Sequence, residues 1–472
     1  MTSQSHRRYV VMLLGLFLPG LPAQVSKAQS DGSVALSAVA LPATQPVTAE
    51  STPVDLESAI TRAYRYALPV YETARLRYRQ SFDPANPHRV PLSTLTHSRK
   101  LADHTSRLVT TPNNDTLYSF ANLDLRARPV RIDVPEFGQR YYSIALMDEF
   151  TNNFAYIGRR TTGTKAGSFL VVGPSWHGQP SADMKIIHAP TPDVTLLVRI
   201  LVDGPEDLDA VHRLQDSIVL TVPPVDPHAP AQVAPVANDG ANFVEVVNQA
   251  LGDNPPPAQD AAILREIAKV GIVPGGGPLD PELARAWRED MPKAQAELRS
   301  KTSWSRRVVD GWSYSAPAIG NFGTDYDLRA AVALSGLLAL TREEAIYAGA
   351  VTDSTGKPLD GAQRYRLHVP KDLPLDGFWS LSMYEVQSDG RLFFTDNPLH
   401  RYAIGDRTRG LKRNSDGSLD ILIQKDTPAA EQATNWLPVP ESGRLQLTLR
   451  LYLPRAELLD GRFHFPALER LD

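Results

Sequence analysis

RLYLP at residues 450–454 closes a segment, 445–453, in which every second residue is leucine. This segment, called the deciding segment below, gives the clearest indication of the fold. Such alternation is typical of a β-strand with one face in a hydrophobic core. GFWS at 377–380 and NWLP at 435–438 open or close further segments of this kind. Gly and Pro, which favour turns, punctuate them. The C-terminal part of the chain is therefore predicted to be a set of short strands joined by turns.

Similar strand-like segments fill part of the N-terminal half, while helical spacing predominates between the two β-rich parts. The clearest N-terminal strands are predicted at 141–147, 168–173, 185–188 and 195–202, and helices at 55–80, 243–251, 257–270, 280–300 and 325–341. A chain of 472 residues exceeds what one hydrophobic core usually supports. The predicted fold class is therefore mainly β with helical segments, of the α+β type, in two domains.

The first 28 residues have the features of a secretory signal peptide. Arg7 and Arg8 precede a short apolar run, and small residues follow, with cleavage expected after Ala23 or Ala28. The apolar run is shorter than the roughly 20 residues that a membrane-spanning helix needs. We therefore expect a periplasmic or secreted protein without a stable membrane anchor.

Composition excludes several classes of chemistry. The chain has no cysteine, which rules out disulfides, thiolate catalysis and cysteine-ligated metals. Its net charge is −4, and the predicted signal peptide carries only basic charges, so a nucleic-acid partner is not expected. The histidines show no metal-binding spacing such as HExxH. No metal or cofactor is predicted, although a metal site assembled from distant segments stays open.

Several short motifs carry a resemblance to a known family. TPNNDT at 111–116, GRR at 158–160 and GPSW at 173–176 precede FWS at 378–380 and the NWLP and RLY segments in a fixed order. Together they resemble the paired domains DUF1254 and DUF1214 of an uncharacterised bacterial family of exported proteins. The resemblance spans about residues 55–470 and implies two jelly-roll-like β-sandwich domains and a homodimer or homotetramer. It identifies no catalytic residue.

The predicted organisation follows from these features. It comprises a signal peptide at 1–28, a flexible tether at 29–52, a DUF1254-like β-sandwich domain with flanking helices at 53–222, a helical connecting region at 223–345 and a DUF1214-like jelly-roll domain at 346–472.

Polar residues beside the predicted strands suggest a ligand site. Acidic, amide, tyrosine and arginine side chains in such positions could bind a polar ligand or transfer protons. The same residues could instead cap turns, with Arg159 paired to Asp148, and Trp436 could be a core residue. The candidate ligand-binding residues are Asn113, Asp115, Tyr118, Asp124, Tyr142, Asp148, Asn153, Arg159, Arg401 and Trp436.

Three functions are compatible with this pattern. The first is binding of a polar small molecule or glycan in the cell envelope by an oligomeric β-sandwich protein. The second is hydrolysis of amide or glycosidic bonds by carboxylates, with Asp115, Asp124 and Asp148 as the candidates. The third is a structural role in envelope assembly. The chain has no GxSxG nucleophile motif, its catalytic residues are unknown, and whether it is an enzyme stays open.

Overall fold

A computed structural model describes residues 55–107, 109–179, 184–223, 231–301 and 305–472, without the side chains of 301, 305 and 306. The predicted signal peptide and tether lie outside these residues. Within the described ranges, no helix combines the length and the apolar character needed to cross a bilayer.

Helices are concentrated at the start of the described chain and between the two β-rich parts. In the described residues the α-helices are α1 (Leu56–Arg77), α2 (Leu208–Asp216), α3 (Gly240–Asp253), α4 (Ala261–Ile267), α5 (Pro281–Lys301), α6 (Tyr326–Ser335) and α7 (Ala456–Leu459).

The strands form two pairs of sheets. In the N-terminal half they are β1 (Thr96–His97), β2 (Thr116–Asp124), β3 (Val130–Val134), β4 (Tyr142–Met147), β5 (Asn153–Gly158), β6 (Gly167–Val172), β7 (Lys185–His188), β8 (Asp193–Leu201) and β9 (Val219–Thr221). In the C-terminal half they are β10 (Ser305–Val309), β11 (Trp312–Ser315), β12 (Ala345–Ala350), β13 (Arg364–Val369), β14 (Trp379–Val386), β15 (Leu392–Phe393), β16 (Ala403–Gly405), β17 (Leu419–Gln424), β18 (Trp436–Pro438), β19 (Leu445–Tyr452) and β20 (Glu469–Leu471).

The N-terminal domain is a sandwich of a five-stranded and a four-stranded sheet. Their strand orders are β1-β2-β8-β4-β5 and β7-β6-β3-β9. Inward-facing residues of both sheets, such as Leu117, Ile144, Val198 and Val171, form one buried core. Alternate residues of a strand point to opposite faces, so this core uses only one face of the five-stranded sheet.

The C-terminal domain repeats this arrangement with a larger first sheet. One sheet has the order β10-β11-β12-β19-β14-β15, with β16 also paired to β14, and the other has the order β18-β17-β13-β20. Leu447, Leu449 and Leu451 of the deciding segment point into the core between these sheets. The prediction of a mainly β chain with two sandwich domains is therefore confirmed.

The helices form a third hydrophobic core of their own. Helix α1 begins at the N-cap Asp55, whose carboxylate accepts a hydrogen bond from the Ser58 amide. Small and apolar residues such as Ala63 and Ala67 let α1 pack closely against α3, α5 and α6. Although the sequence assigned α1 to the N-terminal domain, it is the centre of this helical layer.

One segment differs from the predicted helical connection at 223–345. Residues 305–315 form β10 and β11, which extend the first sheet of the C-terminal domain. The cause is the alternation of Trp312 and Tyr314, whose side chains enter the C-terminal core, whereas Ser313 lies between them on the other face. The C-terminal β-domain thus begins earlier than residue 346.

Candidate functional site

A buried layer between the two domains contains a group of buried polar and charged residues. The second face of the five-stranded sheet packs against the second face of the C-terminal sheet through Tyr141, Met147, Phe378 and Tyr452. Because each domain has its own core elsewhere, this layer is free to contain polar groups. We refer to it as the interdomain layer.

On the C-terminal side, the deciding segment supplies the polar residues of the layer. In β19 the leucines enter the core, so Thr448, Arg450 and Tyr452 face the N-terminal domain. Arg450 lies opposite Tyr347 of β12 and Ser380 of β14 in the strand register. The alternation that predicts the strand thereby also places an arginine in the middle of a buried face.

On the N-terminal side, a second arginine occupies the corresponding face. Arg199 of β8 lies opposite Tyr118 of β2 and Ser143 of β4. Its guanidinium carbon lies 5.4 Å from the centre of the Tyr118 ring, a cation–π contact. Two arginines, one from each domain, are thus buried in one layer.

Both terminal nitrogens of Arg450 are hydrogen-bonded, but it has no carboxylate partner among the described residues. It donates to Ser382 Oγ at 2.7 Å and to the Tyr384 hydroxyl at 2.6 Å. It also donates to the carbonyl oxygens of Thr111 and Pro112, at 3.2 and 3.3 Å. These bonds fix the turn before β2 to the C-terminal sheet.

Arg199, by contrast, is left with unused donors. The residue is 6% exposed, and its Nη2 donates to the carbonyl of Leu338 at 3.3 Å. Its Nε and Nη1 are buried and have no hydrogen-bond partner within the described part of the chain. Buried polar groups are nearly always hydrogen-bonded. We therefore expect these two donors to bind a hydrogen-bond acceptor from outside the described residues.

The turn before β2 connects the two halves of the layer. Asn113 Nδ2 donates to the hydroxyls of Tyr118 and Tyr452, at 3.1 and 2.9 Å. Asp115, which is 3% exposed, accepts hydrogen bonds from Ser380 Oγ at 2.6 Å and from Arg407 Nη2 at 3.0 Å. Asn113 and Asp115 therefore hold the domains together through side chains of both.

Glu344, at the margin of the layer, is already neutralised by a neighbour. It accepts from the Tyr141 hydroxyl at 2.8 Å and from Arg160 Nε at 2.7 Å. Burial raises the pKa of Glu344, and the hydrogen bond and charge of Arg160 oppose this shift. The direct ion pair of Glu344 is with Arg160, and Arg199 acts on Glu344 only through its charge at longer range.

The tyrosines of the layer act as neutral hydrogen-bonding groups. Burial raises the pKa of Tyr141, Tyr347, Tyr384 and Tyr452 above the ordinary value for phenols. They carry no negative charge near neutral pH. Asp115 and Asp406 lie beside Arg407, at 3.0 and 3.8 Å. Among the described residues, no carboxylate lies within ion-pair distance of Arg199.

Of the predicted site residues, the structure brings three together in the layer: Asn113, Asp115 and Tyr118. Asp124 lies at the other end of β2, roughly 30 Å away at about 3.3 Å per residue, and pairs with Arg126 at 2.9 Å. Asp148 accepts the amide hydrogens of Phe150 and Asn152 and so caps a turn. The three carboxylates of the hydrolase hypothesis do not converge.

The other predicted site residues have structural contacts in separate places. Tyr142 is in the N-terminal core, stacked on Phe137. Asn153 donates to the carbonyls of Gly320 and Ala339. Arg159 donates to the Gln139 carbonyl, so the interpretation that it pairs with Asp148 is wrong.

The two predicted residues from the C-terminal domain contact each other and lie away from the interdomain layer. Arg401 donates to the carbonyls of Ala433, Thr434 and Trp436. Trp436 is 4% exposed, and its indole N–H donates to the Gln424 carbonyl. These contacts fit the core-packing alternative for Trp436.

The sequence analysis missed Arg199 and Arg450. The signal that could have identified Arg199 is its position in LLVRIL at 196–201, an apolar run typical of a strand buried on both faces. A charge inside such a run requires a partner. Arg450 has the same signal in LTLRLYL at 447–453.

A second concave feature lies in the helical layer. This cleft of about 180 Å³ is lined by residues including Tyr64, Tyr71 and Phe243. Its buried carboxylate, Glu72, is paired with Arg75. Arg79, Arg299 and Asp239 also line the cleft. Unlike Arg199, none of its arginines has a buried donor without a partner.

The fold and the layer together define a protein with two β-sandwich domains joined by a polar interface. Family models match both parts of the chain: "Protein of unknown function (DUF1254)" at residues 92–222 and "Protein of unknown function (DUF1214)" at residues 344–456. The chain belongs to this two-domain DUF1254/DUF1214 family, as its motifs indicated.

A solved structure gives the same picture of the fold. The VPA0106 protein from Vibrio parahaemolyticus is similar with a TM-score of 0.69 and 24% identity, over 88% of this chain and 100% of the other. An uncharacterized protein from Burkholderia cenocepacia has a TM-score of 0.43 and 12% identity, over 88% of this chain and 92% of the other. No curated protein matches significantly. The first likeness shows the fold, and neither name states a function.

Proposed function

We propose that the protein binds a small carboxylate-bearing molecule in the interdomain layer, with Arg199 as its principal contact. The observation that carries this proposal is the Arg199 guanidinium, which is buried with two unused donors and without an ion pair in the described residues. A buried charge is costly unless it is paired, and carboxylates are favoured partners of arginine. A bound anion would supply the missing partner.

The surroundings support a small ligand with further polar atoms. Tyr118 and Tyr347 are only half-buried beside Arg199, in contrast to their fully buried neighbours. Their hydroxyl groups are available to a ligand that carries acceptors. Phe378 and Tyr452 fill the adjoining space by stacking at 4.0 Å between ring centres. This restriction favours a small molecule over a glycan chain, and we place the ligand beside Arg199, Tyr118 and Tyr347.

The hydrolase hypothesis receives no such support. Asp115 is held by Ser380 and Arg407. Asp124 lies at the other end of β2 and pairs with Arg126, and Asp148 caps a turn. Hydrolysis of glycosides needs two carboxyl groups about 5–10 Å apart. Binding without an assigned reaction is therefore the function that the described geometry supports best.

The test is the effect of Arg199→Leu on binding and on stability. Native mass spectrometry of tag-free protein, followed by denaturation, is expected to release a carboxylate from the wild type and none from the variant. A panel of mono-, di- and tricarboxylates is expected to raise the melting temperature of stripped wild type only. Because leucine removes an unpaired buried charge, the stripped variant should be at least as stable as stripped wild type.

Arg366→Leu is the matched control, because Arg366 is an exposed arginine on β13, away from the layer. It should keep the response to carboxylates. The proposal fails if stripped wild type responds to no carboxylate, or if Arg199→Leu responds as wild type does. A large loss of stability in the stripped variant would show that Arg199 has a structural role instead.

A further inference from the structure

Two histidines and an aspartate meet at the outer edge of the contact between the domains. His104 lies in the segment between β1 and β2, whereas Asp396 and His400 lie in the loop between β15 and β16. One possible ligand atom from each of the three residues lies within 4.8 Å of the others. The group is separate from the interdomain layer described above and has no role in the proposed function.

The distances within this group differ from those of ordinary His–Asp ion pairs. His104 Nδ1 lies 3.5 Å and His400 Nδ1 lies 3.8 Å from the same oxygen, Asp396 Oδ1. Two surface pairs elsewhere, His368–Asp420 and His464–Asp310, are in direct contact at 2.7 Å. The three side chains thus approach one another without being hydrogen-bonded together.

These separations match ligands arranged around a common ion. Zinc–ligand bonds of about 2.0–2.1 Å in a tetrahedral site place neighbouring ligand atoms about 3.4 Å apart. The two measured separations are close to this value, and the remaining one, at most 4.8 Å, can shorten by movement of the exposed His400 side chain. Two imidazoles and one carboxylate are also a donor set that zinc and related transition metals prefer.

Both loops that carry the group are held in place by their own hydrogen bonds. Asn397 Oδ1 accepts from the amides of Leu399 and Arg401, and its Nδ2 donates to the carbonyls of Thr395 and Arg401. On the other side, the Tyr402 hydroxyl contacts His104 Nδ1 at 2.7 Å. The loop of Asp396 and His400 is therefore ordered before any ion arrives, and Tyr402 holds His104 beside it.

From this geometry we propose that His104, Asp396 and His400 bind one divalent transition-metal ion of the zinc class, bridging the two domains. Asp396 and His400 are exposed, so water would complete the coordination. Binding through His104 Nδ1 must replace its hydrogen bond with Tyr402. Both features limit the expected affinity to the micromolar range.

The experiment is calorimetric titration of zinc chloride into tag-free, full-length protein that has been treated with EDTA and desalted. We expect one equivalent to bind the wild type and to raise its melting temperature. His400→Asn should weaken binding at least tenfold and abolish the thermal shift. Asparagine suits this position because residue 400 has a positive φ of 48°. Because the His400 side chain is exposed, the variant should fold as wild type does.

His368→Asn is the matched control, because His368 is exposed and pairs with a single carboxylate. It should bind zinc as wild type does. His104→Ala, from the other domain, should lose binding as His400→Asn does, which tests the bridge between the domains. Absence of stoichiometric binding to wild type, or equal binding by wild type and His400→Asn, would overturn the proposal.

Discussion

Replacing Arg77 with methionine is expected to lower the free energy of unfolding by about 3–5 kcal/mol at pH 8. Arg77 ends helix α1 and is 4% exposed. It donates to both carboxylate oxygens of Glu149, at 2.6 and 3.1 Å, and lies 3.3 Å from Asp193. The removal of Arg77 leaves Glu149 buried without a cation. Asp193 still has an ion pair with Arg126, at 2.6 Å.

The loss should depend on pH because it comes from a buried charge. Burial raises the pKa of Glu149 to about 7, although Arg77 opposes this shift. An acid with a raised pKa holds its proton more tightly in the folded protein than in the unfolded chain, so its contribution to stability falls as the pH rises from about 4.5 to about 7. Without Arg77 the pKa rises further. The variant should therefore lose less stability at pH 5 than at pH 8.

Chemical denaturation followed by circular dichroism measures both effects. Arg366→Met is the control, because the pair of Arg366 with Glu469 is exposed and such pairs contribute about 0–1 kcal/mol. Equal losses in the two variants, or a loss in Arg77→Met that is the same at pH 5 and pH 8, would contradict the prediction.

The Arg77 cluster also shows why the sequence predicted strands better than it predicted their arrangement. Strands β7 and β8 lie at or close to their predicted positions, because the pattern of a strand is local and each residue's face follows from its position. Helix α1 was predicted from the same kind of local periodicity. Its attachment to Glu149, however, depends on residues 72 positions apart. Periodicity carries no information on such pairs.

The candidate site was only partly predictable for the same reason. Asn113, Asp115 and Tyr118 stand together in the sequence, so their proximity could be inferred. Arg450 and Arg199 come from strands of different domains, and only the packing of the two sheets places both in one layer and Arg450 near Asp115. His104 and His400 likewise show no metal-binding spacing in the sequence, which cannot show which loops of two domains meet.

Replacing Asp115 with alanine is expected to lower the free energy of unfolding by about 2–4 kcal/mol, through loss of the main charge that joins the domains. Asp115 and Arg407 come from different domains and contact at 3.0 Å. The side chain of Arg407 is 22% exposed. The expected loss of unfolding free energy is therefore smaller than for the replacement of Arg77. Ser380→Ala removes only one hydrogen bond to Asp115 and should cost about 0.5–1.5 kcal/mol.

A double-mutant cycle of Asp115→Ala with Arg407→Met separates this pair from its surroundings. The double variant should be less destabilised than the sum of the single variants, by about 1–3 kcal/mol. The reason is that the second replacement removes a cation that the first leaves with only the more distant Asp406, at 3.8 Å. Urea denaturation of the four proteins gives this coupling energy directly. Strict additivity would show that Asp115 contributes through Ser380 and the turn before β2, and that the domains are held together by the aromatic contacts of the layer instead.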